Sequence, residues 1–141
     1  MKPVLLGLLS ICVVVACGGD DDENNPAASE TLAGSYDLLR LTPSGGSAIT
    51  PPNASGIMTL TENRYSIVAS YVTAGSEDVI RVAQSGGYSR SGASLSLTPD
   101  GGGGARSGQV ADGGSSITVL ISVQAGGQTQ NLTLVFSRSG G

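Results

Sequence analysis

Histidine and tryptophan are absent from these 141 residues, and lysine occurs once, as Lys2. Without imidazole there is no Ser–His–Asp triad and no His-bearing zinc site. With its one lysine at the extreme N-terminus, the body of the chain has no Ser–Lys dyad. The two cysteines, Cys12 and Cys17, both precede residue 18, so the chain beyond them holds neither a disulfide nor a thiolate metal site. Aromatic residues are limited to Tyr36, Tyr65, Tyr71, Tyr88 and Phe136.

Charge is sparse too, at 13% of residues. From Leu32 onward the acids are Asp37, Glu62, Glu77, Asp78, Asp100 and Asp112, and the bases are Arg40, Arg64, Arg81, Arg90, Arg106 and Arg138. These cancel, and a formally neutral domain offers no field to attract nucleic acid. The net charge of −4 comes from Asp20, Asp21, Asp22, Glu23 and Glu30, offset by Lys2, all ahead of the domain. Glu77 and Asp78 are adjacent, so in a strand they face opposite ways and make a poor acid–base pair. The glycine-rich tracts 98–108 and 111–116 read as turns, because neither leads from a strand into a helix with a phosphate-binding lysine. No catalytic set survives these exclusions. The chain is expected to be no enzyme and to need no cofactor or metal.

What is present alternates with period two. "RYSIVASY" puts Tyr65, Ile67, Ala69 and Tyr71 on one side, and "SLSLT" does so with Leu95 and Leu97. "SITVLISV" and "NLTLVFSR" repeat the pattern, with Leu132, Leu134 and Phe136 aligned in the second. One buried and one wet face per strand indicates antiparallel sheet. Eight strands are expected: 35–41, 56–61, 64–73, 79–90, 93–98, 106–111, 116–124 and 129–138. The first and fourth alternate less cleanly, and Gly86–Gly87 in the fourth marks a bulge or sharp bend.

The connections divide into two kinds. Residues 62–63, 91–92 and 112–114 are tight and suit hairpin turns. Residues 42–55, 74–78, 99–105 and 125–128 are looser. In an up-and-down meander these two sets fall at opposite ends. Closing the eight strands into a barrel removes the exposed edges that invite aggregation; a β-sandwich is the alternative arrangement.

"LAGSYDLLRL", residues 32–41, is similar to the Leu-x-Gly-x-Trp-x-Leu strand that opens lipocalins, with Gly34, Tyr36 and Leu38 at the matching places. "SGIMTLTENRYSIVASY" and "GGYSRSGASLSLTPDG" resemble the hairpins that come after that strand. This resemblance implies an eight-stranded barrel with one shut end and a mouth covered by the 42–55 loop. It also implies a small apolar or amphipathic ligand. Tyr71 near the mouth and Tyr36 are candidates to line the pocket, and Arg106 beside the glycine loop is a candidate to meet an anionic headgroup. The aromatics equally suit filling the barrel. In that reading the chain is a structural or interaction protein, and Leu120 and Val135 lie on its outer face.

The N-terminus carries an address. Lys2 precedes an apolar run from Val4 to Val15, too short to span a bilayer. The run ends in Val14-Val15-Ala16-Cys17, which resembles the lipobox of bacterial lipoproteins. That resemblance implies a signal peptide over 1–16, lipid on Cys17 and an acidic flexible tether over 17–31, followed by the barrel domain over 32–139. Gly18 after the cysteine favours the outer membrane, on either its periplasmic or its cell-surface face. Partners are then the membrane itself and, in the second reading, an envelope protein. The tether enters the first strand at the end with tight turns, so the mouth is expected to point away from the bilayer.

Overall fold

A computed structural model describes residues 31–140. The expected signal peptide, Cys17 and all of the expected tether but Thr31 lie outside them. The strands are β1 (Gly34–Pro43), β2 (Ala54–Leu60), β3 (Arg64–Val72), β4 (Val79–Ser91), β5 (Ser94–Pro99), β6 (Arg106–Val110), β7 (Ser116–Ala125) and β8 (Gln128–Arg138). One 3-10 turn, Asp112–Gly114, joins β6 to β7. Every neighbouring pair is antiparallel, and β8 returns to β1, closing the barrel in sequence order.

Period-two patterning produces this directly. On β3 the inward side chains are Tyr65, Ile67, Ala69 and Tyr71; on β8 they are Leu132, Leu134 and Phe136. Together with their counterparts they form one contiguous core running from Leu32 at one end to Tyr71 and Leu132 at the other. β1 alternates poorly for a specific reason. Its register with β8 shifts between Leu38 and Arg40, so Leu39 is the extra residue of a bulge and points outward, and Leu41 resumes the inward face.

At Gly86–Gly87 the expectation is corrected in part. The register there is continuous with β3 on one side and β5 on the other, so no bulge exists. β4 passes from one partner to the next, and Gly86 is needed because the Thr98 carbonyl and Pro99 approach its backbone too closely for a side chain. The 125–128 connection is also corrected. Ala125 pairs with Gln128 across a two-residue turn in which Gly126 and Gly127 have φ of 59° and 77°. Two consecutive left-handed residues are what a type I′ hairpin requires, so this turn is as tight as any.

The base is latched from both chain ends. Tyr36, fully buried, donates its hydroxyl to the Leu32 carbonyl at 2.9 Å, which fixes Leu32 as a plug under the core. Arg138 lies over the Tyr36 ring, 5.7 Å from its centroid, and donates to the Ala33 carbonyl at 2.9 Å. Ser139 N donates to Ser35 O. The chain therefore enters β1 and leaves β8 at the same end, beside the 112–114 turn, where Gly114 abuts Leu32.

Candidate functional site

The opposite end is a mouth roofed by the long first loop. After β1 the chain folds back so that Leu41 and Ile49 exchange backbone hydrogen bonds at 2.8 and 2.7 Å, and Ile49 packs onto the core. Ser44 N is tied to Asn131 O at 2.8 Å, and Val72 N to Asn53 O at 2.9 Å. Pro51–Pro52 is cis, inside the turn that returns the loop to β2. The loop is thus pinned to β1, β8 and β3 at three points.

Between this loop and the 73–76 segment lies a cleft of about 730 Å³. Ser44, Ser47, Thr50, Asn53 and Gln130 give it hydrogen-bonding groups, and Ile49 and Val72 give it an apolar edge. Beneath it, Tyr71 donates its hydroxyl to Gln130 Oε1 at 2.9 Å, bridging β3 and β8. Tyr71 is 1% exposed, so its ring belongs to the core and its hydroxyl caps it. No ionisable side chain lines the cleft. Its chemistry is hydrogen bonding, with an apolar edge. Among the described residues, no group of three His, Cys, Asp or Glu side chains lies together.

The three side chains singled out from the sequence are not brought together. Tyr71 forms the floor at the mouth. Tyr36 sits at the base with its hydroxyl engaged and fills the barrel there. Arg106 is half-buried at the start of β6, facing inward with Gly108 and Val110. Leu120 is outward and 46% exposed, and Val135, half-buried, pairs with Thr118 on the same outer face. A larger apolar feature escaped the sequence reading: Ile57 and Val68, 51% and 61% exposed, pair directly across β2 and β3 on the outer face. Alternation alone could have flagged both, since each is apolar at an outward position of its strand.

Burial sets the titration of the tyrosines. It raises the Tyr65, Tyr71 and Tyr88 phenols above their ordinary value of 10.0; near Tyr65 the Asp100 carboxylate adds to the rise. Tyr88 also donates to Thr61 O at 2.7 Å. The folded barrel keeps these protons where the unfolded chain sheds them. The stability they contribute is complete below the unfolded value and is lost as pH climbs through the folded values. Urea midpoints compared at about pH 9 and about pH 11 are therefore expected to fall, and an unchanged midpoint counts against this account. At the acid end, Arg64 and Ser85 hydrogen-bond to Asp100 and hold its carboxyl below the usual range, but on a fully exposed group whose effect on stability water screens.

No family model matches the chain, and no curated protein matches it. Solved structures similar in fold are lipocalins and their kin. The siderocalin Ex-FABP, described as having dual ligand specificities, is 12% identical with a TM-score of 0.44, over 77% of this chain and 74% of its own. Trichosurin, a possum milk whey lipocalin solved with bound 4-ethylphenol, is 10% identical with a TM-score of 0.39, over 77% of this chain and 76% of its own. Lobster apocrustacyanin A1 is 13% identical with a TM-score of 0.37, over 85% of this chain and 67% of its own. The chain's own topology, a closed eight-stranded antiparallel meander whose first loop folds over the mouth, is lipocalin-like.

Proposed function

We propose that this protein is an outer-membrane lipoprotein, anchored through acyl chains on Cys17, whose barrel binds a small amphipathic molecule at its mouth. The observation that carries the binding role is the cleft of about 730 Å³ between the first loop and the Tyr71–Gln130 bridge. Its mixed lining suits a ligand with one apolar edge and several hydrogen-bonding groups. The packed core below confines that ligand to the mouth, since Tyr71, Leu41 and Leu132 are each at most 1% exposed. With the chain entering at the base, a tether to the bilayer turns the mouth toward solvent, where such a ligand arrives.

The packed interior also favours a second reading, a filled barrel that contacts an envelope partner through its outer face. Native mass spectrometry of the chain from Cys17 onward, made without its signal and lipid, separates the two. Small-molecule mass retained by this protein and lost in Gln130→Ala is expected of a mouth binder. A bare protein, unaltered by extracts of its own envelope, moves the assignment to the second reading.

A further inference from the structure

The Ile57–Val68 pair belongs to a larger pattern on the outer wall. Asp37 on β1, Ile57 on β2, Val68 on β3 and Ala83 on β4 pair in one row across four strands, all facing outward. One outward step toward the mouth stand Ser55, Ser70 and Arg81, again in register. On β1 the same step leads to Arg40. The bulge at Leu39 makes it so: Asp37 pairs with Ser137 and Arg40 with Val135, so three residue steps along β1 match two along β8. Leu39 itself, 51% exposed, points outward between the two rows.

The two rows differ in relief. The first is a ridge, with Ile57 and Val68 standing out of the wall at its centre. The second is a groove. Ser55 and Ser70 are small, and their hydroxyls meet at 3.2 Å. Around them Ile57, Val68, Val79 and Arg81 bound a shallow depression of about 770 Å³. Charge follows the same division, with the acid Asp37 in the ridge row and the bases Arg40 and Arg81 in the groove row. Among the described residues, none of these three side chains has an ion pair.

A surface whose neighbouring rows complement each other fits a second copy of itself. We propose that the outer face of β1–β4 is the interface of a homodimer, with a two-fold axis lying across the strands midway between the two rows. Strands lie about 4.8 Å apart and successive outward residues about 6.6 Å, so this one operation exchanges the rows position for position. Ile57 and Val68 of each copy settle over Ser55 and Ser70 of the other. Asp37 meets the partner's Arg40, and the same pair recurs across the axis. Ala83 receives the aliphatic stem of the partner's Arg81, whose head stays in water at the rim. Leu39, between the rows, lies by the axis and meets its own copy. The strands of the two copies run antiparallel, within the aligned stacking that sheets adopt. An axis along the strands would set Arg81 against the partner's Arg40, so the charges select the first arrangement. The face is smaller than a standard interface, and association in dilute solution is weak. The proposed lipid anchor would concentrate both copies on one membrane, but the pairing depends neither on it nor on what the mouth binds.

The test is sedimentation equilibrium of the unlipidated chain from residue 17 onward, carrying Cys17→Ser. A monomer–dimer equilibrium with Kd on the order of 10–100 µM is expected. Val68→Lys changes an outward side chain and is expected to weaken dimerisation at least about tenfold while the barrel melts as the parent does. Asp37→Arg and Arg40→Asp each set like charges together and are expected to weaken it several-fold. Combined, they exchange the pair and are expected to restore Kd to within about twofold of the parent. Leu39→Cys is expected to form a disulfide with its own copy under mild oxidation, and Leu120→Cys, on the opposite wall, is not. A chain still monomeric at about 500 µM, a dimer indifferent to Val68→Lys, a double exchange no better than either single change, or cross-linking no faster at Leu39 than at Leu120 each overturns the proposal. A monomeric chain that instead binds vesicles of phosphatidylethanolamine and phosphatidylglycerol, or an envelope protein, in a manner lost in Val68→Lys gives the face to that other occupant and overturns it too.

Discussion

Cys17→Ser is expected to empty the outer-membrane fraction of this protein. The proposed attachment works by acyl chains alone. Each buried methylene contributes about 0.8 kcal/mol, so one chain binds marginally while two or three on one residue make release negligible. The apolar run before Cys17 is too short to cross a bilayer, and among the described residues no helix is long and apolar enough to do so. The change should therefore be close to all-or-none. Density-gradient fractionation of cells carrying either form checks it, with intact mass of the purified parent as a second readout. The parent should float with the outer membrane and carry diacylglycerol on a chain beginning at Cys17. A serine form that still cosediments with outer membrane, or a parent whose Cys17 is unmodified, defeats the assignment.

The strands were legible because burial on one face writes a period of two into the residues themselves. Tyr65, Ile67, Ala69 and Tyr71 set the phase of β3, and β8 is equally plain from Leu132, Leu134 and Phe136. Where the sequence misleads, a tertiary choice intervenes. In "DLLRL" three leucines compete for two inward places, and the bulge at Leu39 resolves the contest in a way no local pattern dictates. The latch of Arg138 over Tyr36 joins residues 102 apart in sequence, so neither announces the other.

The site was less legible than the fold. The roofing loop was evident from its length and prolines, but its three backbone anchors were not. The position of Tyr71 near the mouth followed from its place at the end of a strand, but the partners of the two tyrosine hydroxyls, Leu32 O for Tyr36 and Gln130 Oε1 for Tyr71, did not. The barrel wall is lower on one side because β5 and β6 are shorter than β4 and β7. Those lengths could be read in advance; what they expose could not, because it depends on which half of each long strand the short ones cover. Arg106 stood out by its place beside the glycines, but only the folded chain shows that it faces inward with no acid to meet it.

Gly86→Ala is expected to be the most damaging single-methyl addition in the barrel. The Cβ it adds would be driven into the Thr98 carbonyl oxygen and lie 2.9 Å from Pro99 Cα. Both are backbone atoms of β5, held in the ladder at this point by pairing with Gly86 and Gly87, so no side-chain rotation relieves the clash. Strand propensity works the other way, since alanine gains about 0.5–1 kcal/mol over glycine in an element interior. Overpacking costs typically about 1–3 kcal/mol, and more where only backbone can move. The net loss should be about 3 kcal/mol, which lowers Tm by more than about 10 °C in a domain of this size. Neighbouring glycines calibrate the result. A Cβ on Gly56 would lie 2.6 Å from Ala69 Cβ and 2.8 Å from Val68 O, and one on Gly108 3.1 Å from Thr118 O. At Gly87 the nearest atom is Asn63 O at 3.7 Å, an ordinary contact. Urea unfolding of the four alanine variants should rank the losses as Gly86, then Gly56, then Gly108, with Gly87→Ala within about 0.5 kcal/mol of the parent. If Gly86→Ala and Gly87→Ala unfold alike, the close approach of the β5 backbone is not what makes glycine necessary at residue 86.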